Sequence, residues 1–185
     1  GSDGASGGKE AQQQAERAVE AAVVVAAEQA WARDLVNTAP NTLYPESFAD
    51  AVRDHAPRGV AIAVLDEKDL VKGGFGGIVG VGQGSAHPPR LVTMTYAPKG
   101  ATAHLAYVGK GITFDSGGLC IKPPKSMITM KCDMAGAAAV LAAVRAIADL
   151  KLRVKVTAYA ALAENMPAGA AYRPSDVLTM YGGKT

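Results

Sequence analysis

The stretch that decides the fold is VGKGITFDSGGLCIKPPKSMITMKCD, from Val108 to Asp133. It begins in an apolar segment of β-strand character and ends where a strongly helical run, AAAVLAAVRAIADL, begins. Glycines and prolines fill the interval, so we expect the chain to turn there between a strand and a helix. Strands that alternate with helices build α/β sheets, and binding sites form in the crevice beyond the carboxyl ends of their strands.

The segments on either side continue this alternation. Short apolar runs predict strands at Val60–Asp66, Arg90–Pro98, Ala103–Gly111 and Arg153–Asn165, the second and third joined by the turn PKGAT. Helical patterns are found at residues 9–37, from Pro45 onward, at residues 67–72 and at Asp133–Leu150. The glycine-rich stretch Gly73–Ser85 is expected to be a loop around a brief apolar segment. The fold class predicted is α/β, with a mixed, mostly parallel sheet and helices on both faces.

Three parts of the chain differ in composition. Residues 1–8 are rich in Gly and Ser and are expected to be a flexible linker. Residues 9–37 contain neither Pro nor Gly and predict a connecting helix, apolar on more than one face. Residues 38–185 contain the alternating strands and helices. We therefore expect a linker, a connecting helix and one folded unit.

Composition excludes several classes of function. The net charge is only +2, from 19 basic and 17 acidic residues, and no basic run is dense, so nucleic-acid binding is not expected. No apolar stretch of about 20 residues is found, so no membrane span is expected. The two cysteines, Cys120 and Cys132, form no CxxC motif and are expected to be reduced thiols. A cytoplasmic location follows from these features.

Four charged residues in the opening stretch are candidates for chemistry: Lys110, Asp115, Lys122 and Asp133. Carboxylates are hard oxygen ligands for divalent cations, and one carboxylate can bridge two ions. A lysine amine can bind a metal only when it is deprotonated, which neighbouring cations favour. A second lysine kept as ammonium could stabilise an oxyanion. Spacing alone leaves open the alternative that all four are ordinary solvated charges.

A family resemblance favours the metal site. The string GKGITFDSGG at Gly109–Gly118, followed by KPP, MKCDMAGAAAV and AENMPAGAAYRPSDVL, resembles the leucyl aminopeptidase family of cytosolic metallopeptidases. The resemblance runs nearly continuously from Trp31 to Thr185. It includes several separate motifs in the same order as in the family.

The resemblance implies a role for five residues. Lys110 matches the lysine whose amine binds the tightly held metal, and Asp133 matches a further ligand of that metal. Asp115 matches the carboxylate that bridges both metals. Lys122 matches the catalytic lysine that polarises the scissile carbonyl. Met130 matches a methionine of the pocket for the N-terminal side chain of the substrate, where a flexible thioether suits several apolar groups.

The resemblance also implies an activity and its partners. Members remove N-terminal residues from peptides, favouring leucine and other apolar residues, by water activated at two metals. The expected cofactors are two divalent ions, zinc or manganese, with a bicarbonate as proton shuttle. The expected assembly is a cytoplasmic homo-hexamer. A non-catalytic assembly module or DNA-binding module derived from such a peptidase is the alternative.

One family motif, Asn-Thr-Asp-Ala-Glu-Gly-Arg, is not found in this sequence. In the family it supplies the remaining metal ligands and the arginine that holds bicarbonate. We therefore interpret residues 38–185 as the N-terminal half of the catalytic domain. By itself this chain is expected to bind a single metal weakly and to be inactive, whereas a companion chain with the other half could restore activity.

Overall fold

The computed structural model describes residues 3–185 and places side chains from residue 8 onward. Its centre is a four-stranded sheet with strand order β1-β2-β4-β3. The strands are β1 (Val60–Leu65), β2 (Arg90–Tyr96), β3 (His104–Asp115) and β4 (Lys155–Asn165). The helices are α1 (Asp3–Asn37), α2 (Pro45–Asp54), α3 (Glu67–Lys72), α4 (Gly76–Gly82), α5 (Pro124–Met127) and α6 (Ala135–Asp149), with a 3₁₀ turn at Met130–Cys132. The α/β class and the mixed sheet are confirmed.

The prediction that the sheet is mostly parallel was wrong for this chain. Strand β4 pairs in parallel with β3, whereas β1 with β2 and β2 with β4 are antiparallel. The short connection between β2 and β3 reverses the chain, so these two strands run in opposite directions. They are not neighbours, because β4 lies between them. Since β4 follows β3 through the crossover that contains α6, it is parallel to β3 and must oppose β2.

The core lies on one face of the sheet, beneath α1, α2 and α6. The fully buried Phe48 of α2 and Leu141 of α6 belong to the same apolar cluster as Met94 of β2 and Leu162 of β4. On the opposite face, α4 contacts β4, and α3 contacts β1 and β2. The prediction of helices on both faces is therefore confirmed.

The connecting helix α1 is attached to α6 by a buried ion pair. Arg145 donates hydrogen bonds from Nε and Nη2 to the Glu28 carboxylate, and both side chains are largely buried. The Arg145 guanidinium also lies 4.4 Å above the centre of the Trp31 ring. Helix α1 begins at Asp3, so it extends into the expected linker, of which residues 1 and 2 lie outside the described chain. This extension of α1 is expected, because adding a residue to an existing helix costs far less free energy than starting a new helix.

Helix α4 occupies the stretch that the sequence predicts to be a loop, and that prediction was wrong. Its sequence is GGIVGVG, a poor helix by intrinsic propensity. Tertiary packing explains the helix, because the later segment around Leu178–Met180 lies against its glycines. A Cβ on Gly76 would be 2.0 Å from the Thr179 carbonyl oxygen, and one on Gly80 would be 2.6 Å from Leu178. The missing side chains are what allow this close approach.

One segment, Pro124–Asp149, has the length and apolar composition of a membrane-spanning helix. The structure divides this segment into α5, the 3₁₀ turn and α6. Helix α6 has 15 residues, fewer than the ~20 that a span requires, and its apolar face packs on the sheet. The apolar composition of this segment is therefore that of a helix that packs in the core.

Candidate functional site

The site is built where the two parallel strands end. Asp115 is the last residue of β3 and lies in register with Asn165, the last residue of β4. The main-chain carbonyl of Asn165 accepts hydrogen bonds from both the N–H and the hydroxyl of Ser116, at 3.0 and 2.7 Å. The loop after β3 is thus attached to the end of β4. This is the carboxyl edge at which the sequence predicts a site.

Glycines shape the loop that follows Asp115. Gly117 and Gly118 have φ angles of 88° and 64°, in the left-handed region that other residues rarely adopt. A Cβ on Gly117 would lie 2.3 Å from the carbonyl oxygen of Cys120. The Lys122 N–H donates to the Ser116 carbonyl at 2.9 Å, which closes the loop. The loop therefore brings Lys122 back to the strand end it left.

Lys122 forms an ion pair with Asp115, its Nζ lying 3.2 Å from Oδ2. The other oxygen, Oδ1, accepts from the Gly117 N–H at 2.9 Å and from Asn165 Nδ2 at 2.8 Å. Burial by itself would raise the pKa of Asp115. The three donors and the positive charge of Lys122 outweigh it and hold that pKa below its ordinary value of 3.8. Asp115 is therefore a carboxylate near neutral pH.

Lys110 and Asp133 form the second ion pair, with 3.0 Å between Nζ and Oδ2. The two atoms are close, but their geometry is not that of a hydrogen bond, and Asp133 Oδ2 is buried without any such partner among the described residues. A buried carboxylate oxygen without a hydrogen bond is costly. Asp133 lies between the 3₁₀ turn and α6, so this pair joins the start of the helix to β3.

A cavity of about 400 Å³ adjoins both pairs, since Lys110 and Asp115 both line it. The rest of its wall is mostly apolar and comes from α4, β3, β4 and Tyr172. The structure thus brings the four charged candidates together as two lysine–aspartate pairs beside one cavity. Met130 is half-buried in the 3₁₀ turn and is not among the residues that line this cavity.

Asn165 is a site residue that sequence reasoning missed. Its side chain is buried and contacts the carboxylate of Asp115, although 50 residues separate them. Its position as the polar end of an apolar strand was the available signal. That signal could not show which strand end lay beside it, because pairing is a tertiary property.

The donor chemistry fits a divalent cation. The carboxylates of Asp115 and Asp133 are hard oxygen donors of the kind that divalent cations bind. The buried Asp133 Oδ2 accepts no hydrogen bond among the described residues, and contact with a metal would satisfy it. The described residues contain no group of three His, Cys, Asp or Glu side chains of the kind that usually forms a metal site. The amine of Lys110, 3.0 Å from Asp133 Oδ2, is a candidate third protein ligand in its deprotonated form.

Comparison with known proteins gives a consistent result. Residues 30–185 match the family model for the catalytic domain of the cytosol aminopeptidase family. A probable cytosol aminopeptidase of Micrococcus luteus is 64% identical over 154 residues, which are 83% of this chain and 30% of that protein. One from Streptomyces avermitilis is 58% identical over 180 residues, 97% of this chain and 35% of the relative. The chain thus spans about a third of the length of the relatives it matches.

Solved structures agree. The bottromycin maturation enzyme BotP in complex with Mn superposes with a TM-score of 0.86 at 45% identity, over 91% of this chain and 37% of that one. The apo leucyl aminopeptidase of Trypanosoma cruzi gives a TM-score of 0.84 at 40% identity, over 87% of this chain and 32% of that one.

Proposed function

Because this chain belongs to the cytosol aminopeptidase family, we propose that it forms part of the active centre of an enzyme that removes N-terminal residues from peptides. The observation that carries the proposal is the pairing of Lys110 with Asp133 and of Lys122 with Asp115 at one strand edge. Isolated solvated charges would not leave a buried carboxylate oxygen of Asp133 without a hydrogen bond. The alternative of four ordinary surface charges is therefore disfavoured.

Three residues would hold the metal. Lys110, Asp115 and Asp133 would surround the tightly bound ion, and Asp115 would also bridge to a second. When bound, the ions would supply Lewis-acid activation of water and of the substrate carbonyl. A solved relative carries Mn, which supports manganese, and zinc remains the other candidate. The bicarbonate stays a prediction.

Lys122 is proposed to act on the substrate. Its ammonium lies against Asp115, which orients it, yet part of the side chain is exposed. An ammonium in that position can donate to the oxyanion that develops on the scissile carbonyl. Asp115 is therefore proposed both to bind metal and to orient Lys122. Met130, half-buried in the 3₁₀ turn three residues before Asp133, is proposed to contact the apolar N-terminal side chain of the substrate.

The properties of the complete protein are part of the proposal. Leucine and other apolar N-terminal residues are the proposed specificity, in a cytoplasmic homo-hexamer. The names of the relatives, which call them cytosol aminopeptidases, support the location. For this chain by itself we propose weak binding of one metal and no peptidase activity, with activity restored by a companion chain that supplies the remaining ligands.

Calorimetric titration with MnCl₂ tests the metal site. We expect saturable binding by the unmodified chain and a loss of about 10-fold or more in affinity in Asp133→Ala, because one of three ligands is removed. Asp149→Ala is the matched control, since it removes an exposed carboxylate at the end of α6 and should bind as the unmodified chain does. Absence of binding by the unmodified chain would reject the metal site and leave the non-catalytic module.

A second measurement tests catalysis. Hydrolysis of leucine p-nitroanilide with added manganese should be undetectable for this chain alone. Turnover that is lost in Lys122→Met would contradict the proposed inactivity while supporting the role of Lys122.

A further inference from the structure

Asn165 lies where it can control the orientation of the Asp115 carboxylate. A carboxylate at the end of a strand can rotate about its terminal bond, because that torsion has broad minima. Here two N–H donors, Asn165 Nδ2 and the main chain of Gly117, hold the same oxygen, Oδ1, at 2.8 and 2.9 Å. The second oxygen, Oδ2, is left facing Lys122. The donors thus divide the carboxylate into a fixed oxygen and an oxygen available to a cation.

The side chain of Asn165 is itself held in place. The residue is 8% exposed, and its main-chain carbonyl accepts two hydrogen bonds from Ser116. Its Oδ1 lies 2.8 Å from the position a Cβ would take on Gly118, so only a glycine at residue 118 leaves room for the amide. The amide orientation follows from chemistry, since an ionised carboxylate only accepts and must face the NH₂ group.

Taken together, these contacts have a consequence for metal binding. We propose that Asn165 is a positioning residue that presents Oδ2 of Asp115 to cations, to the Lys122 ammonium in this structure and to a divalent metal in the enzyme. The inference rests on the proposed function for the metal, but the contact between Asn165 and Asp115 stands without it. Hydrogen bonds to metal-binding carboxylates commonly set their affinity, and their loss costs about 10- to 100-fold.

Substitution at residue 165 tests the proposal in the chain as it exists. Asn165→Leu keeps the approximate shape but removes the donor, and Asn165→Asp replaces the donor by a repelling carboxylate. We expect Asn165→Leu to weaken Mn²⁺ binding by about 10-fold or more, measured from the electron paramagnetic resonance signal of free Mn²⁺. Unchanged affinity in a folded Asn165→Leu chain would overturn the proposal.

A matched control separates positioning from general damage. Thr113→Val also removes a buried donor at the β3–β4 pairing, since the Thr113 hydroxyl bonds the Ala163 carbonyl at 3.4 Å, but it does not contact Asp115. It should retain Mn²⁺ affinity within about 2-fold. An equal loss in Thr113→Val and Asn165→Leu would show that any disturbance of the strand pair is sufficient, and would overturn a specific role for Asn165. Circular dichroism melts show whether each variant is folded.

A measurement without metal distinguishes the two possible failures. In the metal-free chain the nuclear magnetic resonance signals of the Asn165 side-chain amide should shift in Asp115→Ala, because the carboxylate that accepts the hydrogen bond from this amide is removed. If the resonances shift while the unmodified chain binds no Mn²⁺, the proposed function fails and the positioning contact survives. If they do not shift, the contact is absent in solution and the inference fails whatever the metal does. Asn165→Asp removes the same donor and should therefore also weaken Mn²⁺ binding.

Discussion

The two faces of strand β4 have different surroundings: one packs in the apolar core and the other lines the site cavity. Residues 156, 158, 160 and 162 point into the apolar core beneath α1, α2 and α6, and all four are fully buried. Residues 161, 163 and 165 face the cavity beside Asp115, and two of these three are alanines. Alternation along one strand therefore puts only apolar side chains on the face that packs on the helices, and ends the face that borders the cavity on the polar Asn165. The core face packs against the helices, and the cavity face borders the candidate site.

The largest expected effect is on the core face. Leu162→Ala removes a fully buried side chain and leaves a cavity between β4 and α6, so the free energy of unfolding should fall by about 2–5 kcal/mol. Ile112→Ala changes a half-buried residue of β3 that pairs with Ala163 of β4 and lines the site cavity, and it should cost less, about 1 kcal/mol. Urea unfolding of both variants measures the difference. Equal losses in the free energy of unfolding would mean that the cavity face contributes as much to stability as the core face, contrary to this description.

A smaller effect is expected at the site loop. Gly117→Ala places a Cβ in the left-handed region and against the Cys120 carbonyl, so it should cost more than the ~1–2 kcal/mol of backbone strain alone and should impair Mn²⁺ binding. Gly100→Ala is the matched control, because Gly100 has a φ of 78° but open space around its Cα. It should cost only the strain and leave Mn²⁺ binding intact. Comparable losses in the two variants would show that the close approach at residue 117 is unimportant.

The smallest effect concerns the pH dependence of stability. The pKa of Asp115 lies below 3.8 in the folded chain, so its ionised form stabilises the fold at pH values above 3.8. That contribution is lost as the pH falls through the folded pKa. The unmodified chain should therefore exceed Asp115→Asn in stability at pH 6, and the gap should close toward pH 3. The gap should be small because the site is partly solvated. Urea unfolding across this range measures it, and a gap that widens in acid would contradict the direction of the shift.

Local patterns accounted for much of the fold. Helices α2, α3 and α6 and strands β1, β2 and β4 lie close to their predicted positions, because their propensities and hydrophobic patterns agree with their packing. Strand β3 continues to Asp115, four residues beyond its predicted end at Gly111, because it pairs with β4 over that length. Helix α4 could not be predicted, since its glycines favour a loop until the segment around Leu178 packs on them. The strand order could not be predicted either, because local sequence does not say that β4 lies between β2 and β3.

The candidate site shows the same division. Motifs in one continuous stretch identified Lys110, Asp115, Lys122 and Asp133 as a group, because residues near one another in sequence can be read together. Which lysine pairs with which aspartate, and the contact of Asn165 with Asp115, were decided by the tertiary structure. The reason is physical. The parallel strands β3 and β4 lie side by side only after the chain has returned through α6, and this return brings Asp115 and Asn165, 50 residues apart in sequence, into contact. The sequence by itself determined which residues are the candidates for the chemistry and to which family the chain belongs. The fold decided how they face one another.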